Sequence, residues 1–490
     1  MSTFAMTRGW MAVCMVVMAG ACGGANPDVT VFDAGTTDAP GFYRSIPVTL
    51  NRDLDVLFLV DNSGSMLAEQ QQLTANFPGF INVIQQVPGG LPNIHLGVLS
   101  SNVGAAGAQS VPGCPPAGDD GNLLTGPPGN TCSTQFGLTG SFISDIAQSN
   151  GSRMRNHTGA LDGLFTCMAS LGTSGCGYEM HLESMYRALQ PGKNPGFLRT
   201  AAHLAVIILA DEDDCSTEMG AMFGDPNAGI SSQLGPRTSF RCHEFGVRCQ
   251  NDPNPRTLGP KTGCAPDTAS QYMYEVQRYV DFLRNLKQPG AGAEVVVAGI
   301  IGNFDRASGS LMVGPDRRTN DPNLPEVVRS CFTRDPNDPD DGASPPVRIG
   351  AFLSAFRRGT QHTVCNDNLS NALIDVGTAI KNAIGNPCID AVLADENPAM
   401  AGLQPTCTVV DVVNPDAPNR AETPVPACES AVQTGTCTPG SAATPCWCLR
   451  PDVARCPPST SNPSSYALEV FRAGATPPAG AVVEVFCRVP

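Results

Sequence analysis

Three runs of the chain, Val56 to Val60, Leu204 to Leu209 and Val295 to Ile301, are apolar from end to end. A strand with one face in water alternates apolar and polar side chains. An unbroken apolar run of this length belongs instead to a strand covered on both faces, as in a parallel sheet between helices. Weaker strand signals at Ile94 to Leu99, Phe142 to Ile146 and His362 to Val364 bring the expected number to six. Between them lie helical patterns at Leu67 to Gln86, Ala160 to Leu171, Met180 to Leu189, Gln271 to Leu286, Ile349 to Arg357 and Leu369 to Ile384. This alternation predicts an α/β domain over residues 51–387, with a doubly wound, mostly parallel six-stranded sheet.

Three stretches interrupt the alternation and read as loop insertions: 103–140, 213–268 and 303–346. After Pro387 the composition shifts. Residues 388–490 carry eight cysteines, many prolines and short strand-like runs, with no helical pattern, which predicts a small β-rich module whose core is supplemented by disulfides. Residues 23–50, rich in Gly, Pro, Thr and Asp, read as a flexible tether.

The first 22 residues set the expected compartment. Arg8 precedes an apolar run from Trp10 to Met18, too short to span a bilayer but suited to a signal segment. The run ends in Ala19-Gly20-Ala21-Cys22, which resembles a bacterial lipoprotein signal and implies lipidation of Cys22; simple secretion with cleavage near Ala25 is the alternative. Setting aside Cys14 and Cys22 leaves 18 of the 20 cysteines, enough for nine disulfides in an oxidising compartment. The expectation is an exported chain, lipid-anchored to a bacterial membrane and facing the periplasm or the cell surface. A net charge of -15 with no basic stripe excludes nucleic acid as a partner.

The first apolar strand runs straight into Asp61-Asn62-Ser63-Gly64-Ser65-Met66, and a helix follows. Ligands of open α/β sheets sit outside the carboxyl ends of strands, and a tight loop eased by Gly64 turns Asp61, Ser63 and Ser65 toward one point. A carboxylate beside two hydroxyls suits a hard cation that keeps some of its waters. The same string also caps helices, so Ser63 or Ser65 as a cap of the helix at Leu67 is the structural alternative. The fourth strand ends likewise in an acid, Asp211, followed by Glu212-Asp213-Asp214-Cys215. These extra acids read either as a solvated loop tip or as a second cation site for Ca²⁺.

With its D-x-S-x-S string at the end of the first strand and Asp211 at the end of the fourth, the chain resembles von Willebrand factor A (VWA) domains. Its overall pattern is similar to VWA lipoproteins of the deltaproteobacterial, myxobacterial type. The resemblance implies a metal-ion-dependent adhesion site, in which Asp61, Ser63 and Ser65 form the first loop and Asp211 the third. The cation implied is Mg²⁺, with Mn²⁺ or Ca²⁺ as alternatives. The second loop of the family supplies a threonine. Here that segment is Gly172-Thr173-Ser174-Gly175-Cys176-Gly177-Tyr178-Glu179, so Thr173 is one candidate, Ser174 another, and Glu179 a carboxylate replacement; Glu179 is equally an N-terminal helix charge. Cys176 is expected in a disulfide, with Cys167 as its suggested partner. By the same resemblance the open coordination position takes an acidic side chain from a protein partner, and no chemistry is done on it.

No enzymatic constellation competes with this reading. His243-Glu244 lacks the second histidine of a metalloprotease helix, and no G-x-S-x-G elbow precedes a helix. The cluster Cys437, Cys446, Cys448 and Cys456 imitates a zinc knuckle, but in an exported chain disulfides are the expected state. The expectation is therefore a binding protein, not an enzyme; a structural envelope scaffold with a vestigial metal site is the alternative.

Overall fold

A computed structural model describes residues 41–490 apart from 48–50, 88, 107, 109–110, 218–219, 251, 288–292, 339–340, 416–418, 440–443, 454, 459–461 and 476–480. The signal segment 1–22 with Cys22, and the tether as far as residue 40, lie outside the described residues.

The strands of the larger layer, with one that precedes it, are β1 Gly41–Pro47, β2 Asp53–Val60, β3 Asn93–Ser100, β4 Ile143–Ala147, β5 Arg153–Arg155, β6 His203–Leu209, β7 Val295–Ile301 and β8 Gly359–Thr363. Seven of them form one sheet in the order β8-β7-β6-β2-β3-β4-β5. β8, β7, β6, β2 and β3 are mutually parallel, whereas β4 pairs antiparallel with both β3 and β5. The sheet thus has seven strands rather than the expected six. The extra strand, Arg153-Met154-Arg155, is short and charged and carries no apolar signal. It is held by the buried Asp145 of β4, which accepts from Arg153 Nε at 2.5 Å and Arg155 Nε at 2.9 Å.

Six longer helices accompany these strands: α1 Leu67–Ile84, α2 Leu161–Ala169, α3 His181–Ala188, α4 Val276–Leu286, α5 Val347–Ser354 and α6 Ser370–Gly385. Successive residues of β2 feed opposite cores. Val56, Phe58 and Val60 pack with Phe77 and Phe80 of α1, Phe165 of α2 and Leu373 of α6. Leu57 and Leu59 pack with Met185 of α3, Tyr279 of α4 and Phe352 of α5. This two-sided burial is the physical reason for the unbroken apolar sequence of the central strands. Phe58 is the centre of the first core, with its ring 4.7 Å from that of Phe165 and 5.5 Å from that of Phe80.

Parallel pairing also brings the strand ends level. Val60 stands opposite Ser100 on one side and Leu209 on the other, so the residues after these positions emerge along a single edge of the sheet. That edge carries the site described below.

All three insertions are stapled. The first is tied by Cys114–Cys176 and Cys132–Cys167, and the second by Cys215–Cys242 and Cys249–Cys264. The third is tied by Cys331–Cys365. The suggested Cys167–Cys176 pairing is therefore wrong, because Cys167 pairs with Cys132 and Cys176 with Cys114, both in the first insertion.

Residues 388–490 contribute β9 Cys407–Val413, β10 Ala421–Pro424, β11 Ala427–Val432, β12 Cys446–Pro451, β13 Tyr466–Phe471 and β14 Val482–Arg488. They form two small sheets, β1-β14-β9-β10 and β11-β12-β13, around Ile389, Trp447, Leu449 and Val485. Four disulfides cross this region: Cys388–Cys456, Cys407–Cys487, Cys428–Cys446 and Cys437–Cys448. The expected tether does not extend to residue 50, since β1 pairs with β14 from Gly41↔Arg488 to Pro47↔Val482. The nine disulfides among the described residues fit an exported protein. No described helix is long and apolar enough to cross a membrane.

Truncating the ring at the centre of the first core leaves a cavity that the parallel sheet cannot collapse to fill. Phe58→Ala is expected to cost about 3–5 kcal/mol, read as a lowered urea midpoint under non-reducing conditions; a loss below about 1 kcal/mol would show that this ring does not organise the core.

Candidate functional site

Asp61 is the first residue past β2, and its amide bonds to the Leu209 carbonyl at 3.0 Å, which continues the sheet by one more rung. Its side chain is fully buried. Oδ1 accepts from the Ser63 amide at 2.8 Å and from the Ser101 hydroxyl at 3.1 Å. Oδ2 accepts from His181 Nε2 at 3.1 Å, and neither side chain is exposed. Burial alone would depress the imidazole, but its bond to Asp61 and the charges of Asp61, Asp214 and Asp213 hold its pKa above the ordinary value.

The loop that follows settles one alternative. Helix α1 begins after Met66, and no side chain caps its first turn. Ser63 and Ser65 are therefore not helix caps. Their hydroxyls lie 3.5 Å apart. Asp211, just beyond β6, is 3% exposed, and its Oδ1 has no hydrogen-bond partner. Burial, with the charges of Glu212 and Asp61, pushes its pKa up to about 8 against the pull of Arg329. Asp61, Ser63 and Ser65 thus share the loop after β2, and Asp211 stands just beyond the neighbouring strand β6.

The second loop is held by α1. Gln70 donates from Nε2 to the carbonyls of Asp61 at 2.8 Å and Gly172 at 2.9 Å, and its Oε1 accepts from the Gly172 amide at 3.1 Å. The Gly175 amide donates to the Asn62 carbonyl at 2.7 Å. Gly175 must be glycine, because a Cβ there would lie 2.1 Å from Asn62 Oδ1. Of the second-loop candidates, Ser174 is exposed, Thr173 is half-buried and Glu179 is 2% exposed. Burial and the charges of Glu212, Asp61 and Asp211 push the Glu179 carboxyl well above its usual range. Glu179 is the buried acid among the second-loop candidates.

Asp213 and Asp214 are not a solvated tip, because each takes protein donors. Asp213 is half-buried and accepts from the amides of Arg348 and Ile349 at the start of α5; desolvation pushes its pKa up to about 6, with those amides pulling against the shift. Asp214 accepts from the Leu182 amide at 2.9 Å, the Ser216 hydroxyl at 2.6 Å and Arg348 Nη2 at 3.0 Å. The Arg348–Asp214 pair is fully buried and joins α3, the loop after β6 and α5. Glu212, in contrast, is part-exposed and pairs with Arg329 at 3.2 Å. Among the described residues, no three His, Cys, Asp or Glu side chains converge so as to hold a cation by themselves.

Sequence reasoning missed His181, Ser101, Gln70 and Arg329. Ser101 was findable, since it follows β3 as Asp61 follows β2. His181 was not, because six scattered histidines carry no pattern, and Arg329 lies in an insertion without regular periodicity.

No protein-family model matches the chain, and no curated protein does. Solved structures similar to it include the von Willebrand factor type A protein from Catenulispora acidiphila, at 9% identity over 94% of this chain and 67% of that one, with a TM-score of 0.24. A pilus adhesin from Streptococcus pneumoniae is similar at 9% identity over 91% of this chain and 58% of its own length, with a TM-score of 0.29. Likeness this slight carries no argument.

The elevated pKa of Asp211 has a defined consequence for stability. A carboxyl raised in the folded state contributes stability below its unfolded pKa of about 4, and that contribution is lost as pH rises through about 8. In EDTA, Asp211→Asn should therefore gain stability relative to wild type between pH 5 and pH 8, as read by paired thermal melts. A difference that stays constant across this range would show that Asp211 is not held in a desolvated, anionic setting.

Proposed function

We propose that the chain is a VWA-type binding module of the cell envelope whose strand-end cluster takes one divalent cation. Asp61, Ser63, Ser65 and Asp211 are its ligand set, and the second loop completes it through Thr173, with Glu179 as the carboxylate alternative. The observation that carries the reading is Asp211 Oδ1, a buried carboxylate oxygen without a partner beside Asp61 and two hydroxyls that cap no helix. An all-oxygen donor set of this kind suits Mg²⁺, with Mn²⁺ and Ca²⁺ as the alternatives. The bound cation would supply a coordination position for an acidic side chain of a protein partner. The chain's own part is to fix the donors: Ser101 and His181 orient Asp61, and Gln70 holds the second loop against it. Export with lipidation at Cys22 would place the module at a membrane surface.

A structural scaffold with a vestigial site is the second reading. It is favoured by the engagement of both Asp61 oxygens with protein donors.

Calorimetric titration of the EDTA-stripped protein separates the two. One Mg²⁺ or Mn²⁺ should bind per chain, and Asp211→Asn and Ser65→Ala should each weaken it by roughly tenfold or more. An Asp- and Glu-rich peptide should bind only with the cation present. Cation binding that survives both substitutions, or peptide binding indifferent to EDTA, would contradict the proposal.

A further inference from the structure

The third insertion, 303–346, brings a cation of its own to the cluster. Arg329 is 9% exposed at its side chain, and its Nη2 lies 3.2 Å from Glu212 Oε1. Nη1 donates to the Ser344 hydroxyl at 3.0 Å and reaches the Asp211 carbonyl at 3.4 Å. The position is built. Ser344 donates its amide to the Asp211 carbonyl at 2.8 Å, and the Ser330 amide donates to the Ala343 carbonyl at 2.6 Å. Cys331, two residues after Arg329, is fixed by its disulfide to Cys365 beyond β8. Arg329 is thus locked to the residue whose carboxylate is the strongest ligand candidate of the third loop. Beside it, Glu179, Glu212, Arg329 and Ser344 line a cavity of about 110 Å³, which leaves room for waters next to the carboxylates.

Resting on the metal-site reading above, we propose that Arg329 is an in-chain counter-ion that sets the cation affinity of the site by opposing a divalent ion beside Asp211 and Glu212. A guanidinium cannot lose its charge. In a site largely shielded from water, repulsion between it and a divalent ion is substantial. The insertion therefore keeps the site weak, so that occupancy follows the cation concentration outside the cell.

The test is titration of Mg²⁺ and Mn²⁺ into EDTA-stripped wild type, Arg329→Gln and Arg329→Lys, with melts in EDTA to confirm folding. Arg329→Gln should bind roughly tenfold or more tightly than wild type, while Arg329→Lys should stay near wild type. Equal affinity of the Gln variant and wild type, or an equal rise in the Lys variant, overturns the proposal. If the Gln variant does not fold, the Cys331→Ser/Cys365→Ser pair, which releases the segment, should show the rise instead; no rise there overturns it as well. Failure of the metal-site reading looks different: no variant, wild type included, then binds a cation.

Discussion

A carboxylate buried in the interior must be matched by donors, and the strand-end edge of this chain is organised around one such group. Asp61 is wholly enclosed, and its two oxygens take donors from three separate segments: its own loop, the end of β3 and the start of α3. An anion in that position without those donors would cost several kcal/mol. Its demands therefore fix how the β2 loop, Ser101 and His181 stand relative to one another. Level parallel strands make this possible, because they deliver Asp61, Ser101 and Asp211 along one line.

The loop after β6 shows a different use of the same charge. Asp213 and Asp214 look interchangeable with Asp211 in sequence, yet each has its own set of protein donors. One satisfies the amides that open α5, and the other forms a buried pair with Arg348. Only Asp211 is left with an oxygen unpaired. The difference between a structural acid and a ligand candidate is set by what the neighbouring elements donate. Three of the acids in a row carry three different roles.

This is also where the sequence stops being legible. The central strands, the helices on both faces and the first- and third-loop residues could be read, because two-sided burial and strand-end position leave a pattern in the residues themselves. Arg153–Arg155 could not, since that strand exists to serve Asp145 and hides no apolar face. Nor could β1, whose pairing partner lies more than 400 residues away in β14. Glu179 was visible only as one of three second-loop candidates; its burial among the other acids is a property of how Gln70 and Gly175 seat the loop. Disulfide partners were hidden for the same reason, as Cys176 closes on Cys114 across an insertion rather than on its neighbour Cys167.

The insertions give the edge its particular character. An open strand edge would offer its acids to solvent, whereas here a disulfide-tied segment lays Arg329 against Glu212 and the Asp211 backbone. The account rests on whether a cation enters this crowded cluster. A crystal structure with Mn²⁺, located by its anomalous signal, tests that most directly. The account predicts a single peak about 2.1 Å from the Ser63 and Ser65 hydroxyl oxygens, with an Asp211 or Glu179 carboxylate beside it. A cluster free of Mn²⁺ at millimolar concentration would contradict it.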